Sequence, residues 1–423
     1  MSKTVFVRAD SCSELSEIVH CHPNASRFML AAGTYLCSKP ILIDRPDITF
    51  CGAGAVASMV KIVITSRTCD GIVVKADRCT VRNVSIGYSV EAAAPVVQED
   101  GALAAVPVSG IALAIVAANN VTIEECHIHG HTDNYAVYFS GPQHEHADVV
   151  DLFHTDMGHS LNKQNRFTAN LVYSTFHDNG VAFCLQRDGV VSENIVRGTE
   201  LCMYVCRDCI CSKNKVIDSV TYGIGCSWPC ANVVVSHNVV KHCRSAGICV
   251  RPYVDSFDVA QQQAIFGNEQ SDPANKLDVA HNNIYATLSD GIIIDDVFGL
   301  FSIDNNIVSR IADVAVHLVR VSGATVTNNT VTFASRGITA DVDTTNAQIS
   351  NNTVNSIYPH ISSHAIIVET GATANTLDGN SVNGKYLGKE VLIVETESNE
   401  EHNTTFDADI DFYDDIGATE NEA

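Results

Sequence analysis

Five short stretches bring arginine, aromatic and carboxylate side chains together at comparable intervals: CLQRDG with Arg187 and Asp188, VCRDC with Arg207 and Asp208, CSWPC with Trp228, VRPYVD with Arg251, Tyr253 and Asp255, and IIDDVFG with Asp295 and Asp296. A guanidinium grips a carboxylate through two parallel N–H donors, and an aromatic ring offers a sugar face something flat to lie on. Such a set suits an acidic polysaccharide. Arg251 or Tyr253 is then placed to remove the proton beside a uronate carboxylate, and Asp295 with Asp296 supplies an acid–base pair or oxygen ligands for Ca²⁺. Arg187, Arg207 and Trp228 would hold the substrate. The competing reading makes each Arg–Asp neighbour an ion pair at a solvated turn, which contributes little.

Two further groups could do chemistry. Seven of the 17 histidines lie between His127 and Arg166, beginning HIHGH with His127, His129 and His131. His-x-His on a strand turns both rings to one face, a geometry able to bind zinc; a plain histidine-rich surface loop is the alternative, since no four-ligand spacing accompanies it. CMYVCRDCICSK packs Cys202, Cys206, Cys209 and Cys211 together, with Cys226, Cys230, Cys243 and Cys249 soon after. Only Cys206 to Cys209 has the CxxC spacing of a metal hook. Alternation instead sends several thiols, Cys206 and Cys226 among them, into a core as small buried hydrophobes.

What positions these residues is a repeat. VTNNTV at Val326 returns as ISNNTV at Ile349, 23 residues later, and the frame of an apolar residue, two variable ones, Asn, one variable one and an apolar residue recurs at Asn194, Asn214, Asn238, Asn282, Asn306, Asn329, Asn352 and Asn380. The gaps are 20, 24, 44, 24, 23, 23 and 28. The 44 is either two turns or one turn carrying an insertion at 253–275. Upstream the frame continues with substitutes: Ser174 in LVYSTF, Cys126 in IEECHI and Val84 in VRNVSI. Between the asparagines come glycine-led runs of strand type, NGVAF, YGIGC, AGICV, DGIII and RGITA. Units of this size, holding two or three short strands, stack as a solenoid in which each strand pairs in parallel with its equivalent one coil away. The asparagines are expected at left-handed bends, with their amides bonded along the stack.

The passage RFMLAAGTYLCSKPILIDRPDITFCGAGAVASMVKI, Arg27 to Ile62, resembles the first coils of the pectin-lyase-like parallel β-helix superfamily, and the Asn-bearing repeats after it resemble those of pectate lyases, polygalacturonases, alginate epimerases, NosD-like proteins and phage tailspikes. That resemblance implies an all-β, single-stranded, right-handed parallel β-helix with a short N-terminal helical cap, for which SCSELSEIV offers a capping box from Ser11 to Glu14. It implies residues 1–26 as strand and cap and 27–394 as β-helix with insertions near 127–166 and 253–275; composition makes 395–423, with eleven Asp and Glu and no Lys or Arg, a solvated flexible tail, the alternative being that FDADIDFYDD caps the last coil or binds cations. Such folds carry many activities. Of the polygalacturonase pattern only the Asp295–Asp296 pair is present, and the Asp-Pro-His-Asp signature of alginate epimerases is missing. Trimers are common among tailspike-like relatives.

Composition narrows the partners. With 49 acidic against 26 basic residues, the formal charge of −23 repels phosphate backbones and anionic membranes, which speaks against nucleic acid. ALAAVPVSGIALAIVAA, 102–118, approaches membrane-spanning length but is broken by Pro107, Ser109 and Gly110, and two buried strands around a turn fit it better. No secretory signal opens the chain, and 16 cysteines without one point to a reducing compartment or a virion. Two functions stand against each other: binding or modification of an acidic polysaccharide as lyase, epimerase or hydrolase, and a non-catalytic structural or attachment role.

Overall fold

The computed structural model describes residues 3–10, 15–89, 96–97, 103–104, 110–130, 135–140, 161–174, 180–228, 230–252, 276–356, 362–387, 391–393 and 399–407. Short parallel strands stack in three files that wind through about 13 turns. The first file alone is a 15-stranded parallel sheet, from Lys3–Val7 to Glu400–His402. The second follows the asparagine bend and includes Lys215–Ile217, Val239–Lys241 and Asn283–Tyr285. The third is the glycine-led file, with Leu201–Tyr204, Ile224–Trp228, Ile248–Pro252 and Ile292–Asp295 in successive coils. In two coils the chain runs from second to third file within one bent strand, Ile307–Val319 and Thr330–Ala340.

Alternation decides what goes inside. In Ile248–Pro252, Ile248 and Val250 join the core, while Cys249 and Arg251 face outward. Like residues stack on like: Phe139, Phe167 and Phe183 form an interior aromatic run, with Phe139 and Phe183 centroids 4.9 Å apart. The strands begin with glycine because the coils close tightly there. A Cβ on Gly247 would come within 2.4 Å of Ile284 Cγ2 and 2.7 Å of the Gly291 carbonyl oxygen. Cys206 and Cys226 are buried as expected, and among the described residues only Cys21 is exposed.

The asparagines form one continuous ladder. Each side-chain Nδ2 donates to the Oδ1 of the next, from Asn170 through Asn194, Asn214, Asn238, Asn282, Asn306, Asn329 and Asn352 to Asn380, at 2.9–3.1 Å. The bond from Asn238 to Asn282, 3.0 Å long, settles the 44-residue gap: it is a single coil with an insertion. Two expectations change. The equivalent residue upstream of Asn194 is Asn170, whereas Ser174 ends the next strand and pairs with Gly130. Nor do the ladder asparagines take the left-handed conformation; their predecessors do, as at Lys213, His237, His281, Asn305, Asn328 and Asn351. That residue turns the corner with its side chain in solvent, and the asparagine behind it is free to point inward and satisfy backbone groups that the corner would strand.

A short helix, Ile18–Cys21, lies at the N-terminal end. Arg45 from the next coil donates to the carbonyls of Val19 at 2.9 Å and His22 at 3.1 Å, covering the open end of that helix. The Ser11–Glu14 capping box lies outside the described residues, as do 105–109, most of the two insertions and 408–423. Of the apolar stretch 102–118, Leu103–Ala104 pairs antiparallel with Val96–Val97 and Leu113–Val116 joins the third file. No helix among the described residues is long and apolar enough to cross a membrane. In the stretch expected as tail, Glu400–His402 and Thr405–Asp407 continue the first and second files.

Candidate functional site

Three of the residues singled out by type and spacing meet in one cleft. On the outer side of the third file, a cavity of about 330 Å³ is lined by Arg251, Asp295, Asp296, Tyr222, Asp290 and Arg320, with Cys249 and Pro252 behind them. Arg251 and Asp295 occupy successive coils because each follows a directly paired residue, Val250 opposite Ile294. The left-handed residue Asp296 then turns its carboxylate back toward the same opening.

Charge within the cleft is arranged in pairs. The Arg320 guanidinium donates to Asp295 at 2.6 Å and stands 3.3 Å from Asp296. Arg251 lies over the Tyr222 ring, 4.9 Å from its centroid, and donates to its hydroxyl at 3.2 Å. Burial lifts the Asp295 carboxyl above the usual carboxylate range, with Arg320 pulling it down and Asp296 pushing it up. Burial also raises the Tyr222 phenol, which therefore keeps its proton at neutral pH. The cleft thus holds the carboxyl groups of Asp290, Asp295 and Asp296, a phenolic proton and two guanidinium groups.

The other expected residues lie apart. Arg187 and Arg207 stack on each other one coil apart, but on the bend beyond the third file, where Arg187 approaches Asp208 at 3.4 Å and Arg207 approaches it at 3.7 Å. The expected column is therefore two rows on either side of a bend, and only Arg251, Asp295 and Asp296 line the cleft. Trp228 ends the strand Ile224–Trp228, paired with the cleft residue Pro252, while its side chain lies outside the described residues, as does Tyr253. His127 and His129 do share the outward face of their strand, with His129 against Tyr173 at 6.3 Å; His131 lies outside the described residues. Among the described residues no group of three or more His, Cys, Asp or Glu side chains is arranged to hold a metal ion.

Sequence inspection missed the residues that complete this face. His317 sits between Asp290 and Asp341, and Arg320 holds Asp295 and Asp296. Farther up the same file, the carboxylate of Glu200, only 6% exposed, accepts from Cys202 Sγ at 2.9 Å, Thr221 Oγ1 at 2.8 Å and Tyr204 Oη at 3.4 Å. Glu200 and Ala315 stand where other coils carry the leading glycine: the carbonyl of Glu200 accepts from Val181 as that of Gly223 accepts from Leu201. A search keyed on that glycine passes over both coils.

No family model and no curated protein matches the chain. Among solved structures, the Dettilon tailspike protein (gp208) aligns with 94% of this chain and 70% of its own, at TM-score 0.58 and 13% identity. The A-module of the Azotobacter vinelandii mannuronan C-5 epimerase AlgE6 aligns over 92% of both chains, at TM-score 0.51 and 13% identity. Identity this low carries the architecture alone, and it agrees with the stacked files and the asparagine ladder: the chain is a right-handed parallel β-helix.

Proposed function

We propose that this β-helix binds an acidic polysaccharide along the outer side of its third file and modifies it by acid–base chemistry in the cleft between Arg251 and Asp295. The observation that carries the reading is the convergence of Arg251, Tyr222, Arg320, Asp295 and Asp296 on one opening of a size typical of ligand sites. Arg251 meets a uronate carboxylate, and neutralising that charge makes the neighbouring C–H more acidic. Asp296 or Tyr253 takes the proton. Tyr222, whose phenol keeps its proton, donates one to the other face or to the leaving oxygen. Protonated at one face and deprotonated at the other, the uronate would epimerise; with loss of the leaving group it would become unsaturated. The solved tailspike and epimerase folds are compatible with a glycan partner.

The test incubates the protein with pectate, alginate and hyaluronan, with and without Ca²⁺, following the ultraviolet absorbance of an unsaturated uronate, reducing ends and epimer content by NMR. Binding in the wild type should weaken at least about tenfold in Arg251→Ala and in Trp228→Ala without a change of fold. Absence of both product and binding across all three polymers would move the chain to the second reading, a non-catalytic attachment or structural protein. What favours that reading is Arg320, which already engages Asp295 and Asp296.

A further inference from the structure

One side chain links three coils beneath the cleft. His317 lies on the outer side of the third file, between Ile293 of the preceding coil and Thr339 of the following one, and retains 13% of its side-chain exposure. Its Nδ1 faces Asp290 Oδ2 at 3.4 Å, and its Nε2 faces Asp341 Oδ2 at 3.4 Å. A neutral imidazole carries one N–H, so one of its nitrogens would turn a lone pair toward a carboxylate. Only the imidazolium donates to both.

Asp290 connects this ring to the cleft. Its carboxylate, 8% exposed, accepts the Val314 N–H at 3.1 Å through Oδ1 and meets His317 through Oδ2, so both oxygens are fixed while the residue lines the cavity. The charged groups around the ring are Asp290 and Asp295 from the preceding coil, with Asp296 beside them; Asp341 from the following coil; and Arg320 from its own coil, which is shared by Asp295 and Asp296. Its immediate neighbours in the file, Ile293 and Thr339, are uncharged. Three carboxylates therefore line the cleft, and His317 supplies positive charge from beneath.

We propose that His317 is the positioning residue of this cleft, its imidazolium fixing Asp290 in the wall and offsetting the carboxylate charge, so that an anionic glycan is held more tightly while the ring is protonated. The proposal rests on the polysaccharide reading above and adds a gate to it. Burial pulls the imidazole down, but Asp290 and Asp341 outweigh that and hold it above the ordinary 6.5. Binding should therefore persist through mildly acidic pH and fade as pH rises through that raised value.

The experiment uses the full chain in three forms, wild type, His317→Gln and Asp341→Asn, and measures alginate affinity and the His317 ring signals by NMR between about pH 5.5 and about pH 8.5. The wild type should lose about tenfold in affinity across the ring's titration. His317→Gln should bind weakly with a flat profile. Asp341→Asn, which leaves the cleft lining intact, should shift both the ring titration and the loss of binding to lower pH together. Wild-type and His317→Gln profiles of the same shape would overturn the gate. Should alginate, pectate and hyaluronan all fail to bind at every pH, the polysaccharide reading falls, and the carboxyl ¹³C signal of Asp290 decides the positioning role. Movement in step with the His317 ring supports it, and indifference to the ring overturns it.

Discussion

Arg320 governs how Asp295 and Asp296 behave. Burial raises Asp295, and Arg320 is the strongest opposing influence, so Arg320→Ala should lift that carboxyl further. An acid whose folded value is raised stabilises the fold fully below its unfolded value, here the usual 3.8, and that contribution is lost as pH climbs through the raised one. Arg320→Ala should therefore lower Tm more at about pH 7 than at about pH 4. Calorimetry at the two values checks this, and an equal drop at both would show that Arg320 acts through packing. Arg251, Asp295 and Asp296 could be found in the sequence because they follow glycine-led strands in a regular frame. His317 and Glu200 could not, because Ala315 and Glu200 itself replace the glycine that marks the frame. Arg187 and Arg207 look equivalent to Arg251 in the text of the chain, yet the bends after Leu185 and Val205 carry them onto another face.

At each asparagine bend two adjacent residues divide the work, and their substitutions should separate. Asn329 is fully buried, donates to the Ile303 carbonyl at 2.8 Å and to Asn352 at 3.0 Å, and accepts from the Asn306 backbone N–H at 2.9 Å. Asn329→Ala strands several of these groups and should cost about 2–4 kcal/mol. Asn328, its left-handed neighbour at φ 56°, lies at the surface, and Asn328→Gly should change stability by no more than about 0.5 kcal/mol. Urea denaturation with an unchanged slope measures both. Equal losses would mean that the turn, and not the ladder, holds the coil. Spacing alone revealed the ladder, since a buried amide must recur at the same place in every turn. Which of the two asparagines in Asn-Asn bends the chain was hidden, because both tolerate the left-handed conformation, and coils such as that of His237, with no Asn at the corner, show which one does.

The molecule as a whole packs most of its described thiols into a continuous interior column of side chains. Of 15 described cysteines Cys21 is exposed and the other 14 are buried, and burial pushes several thiols up to about 12, Cys211 and Cys230 among them. A thiol reagent should modify Cys21 promptly and leave those 14 unreacted until denaturant opens the stack. Prompt reaction of Cys211 or Cys230, located by mass spectrometry, would contradict the packed interior. The overall winding was legible from period, asparagine and glycine together, whereas the cleft depends on side chains contributed by coils some two dozen residues apart and takes shape only once they are superposed. The direct bond from Asn238 to Asn282 carries a wider consequence. The polypeptide departs after Pro252 and rejoins at Lys276, yet the turns on either side keep the same register as their uninterrupted neighbours. Length added between Pro252 and Lys276 leaves the register of the described coils unchanged, so natural variation or an engineer can change how much chain joins these two turns without renegotiating the scaffold.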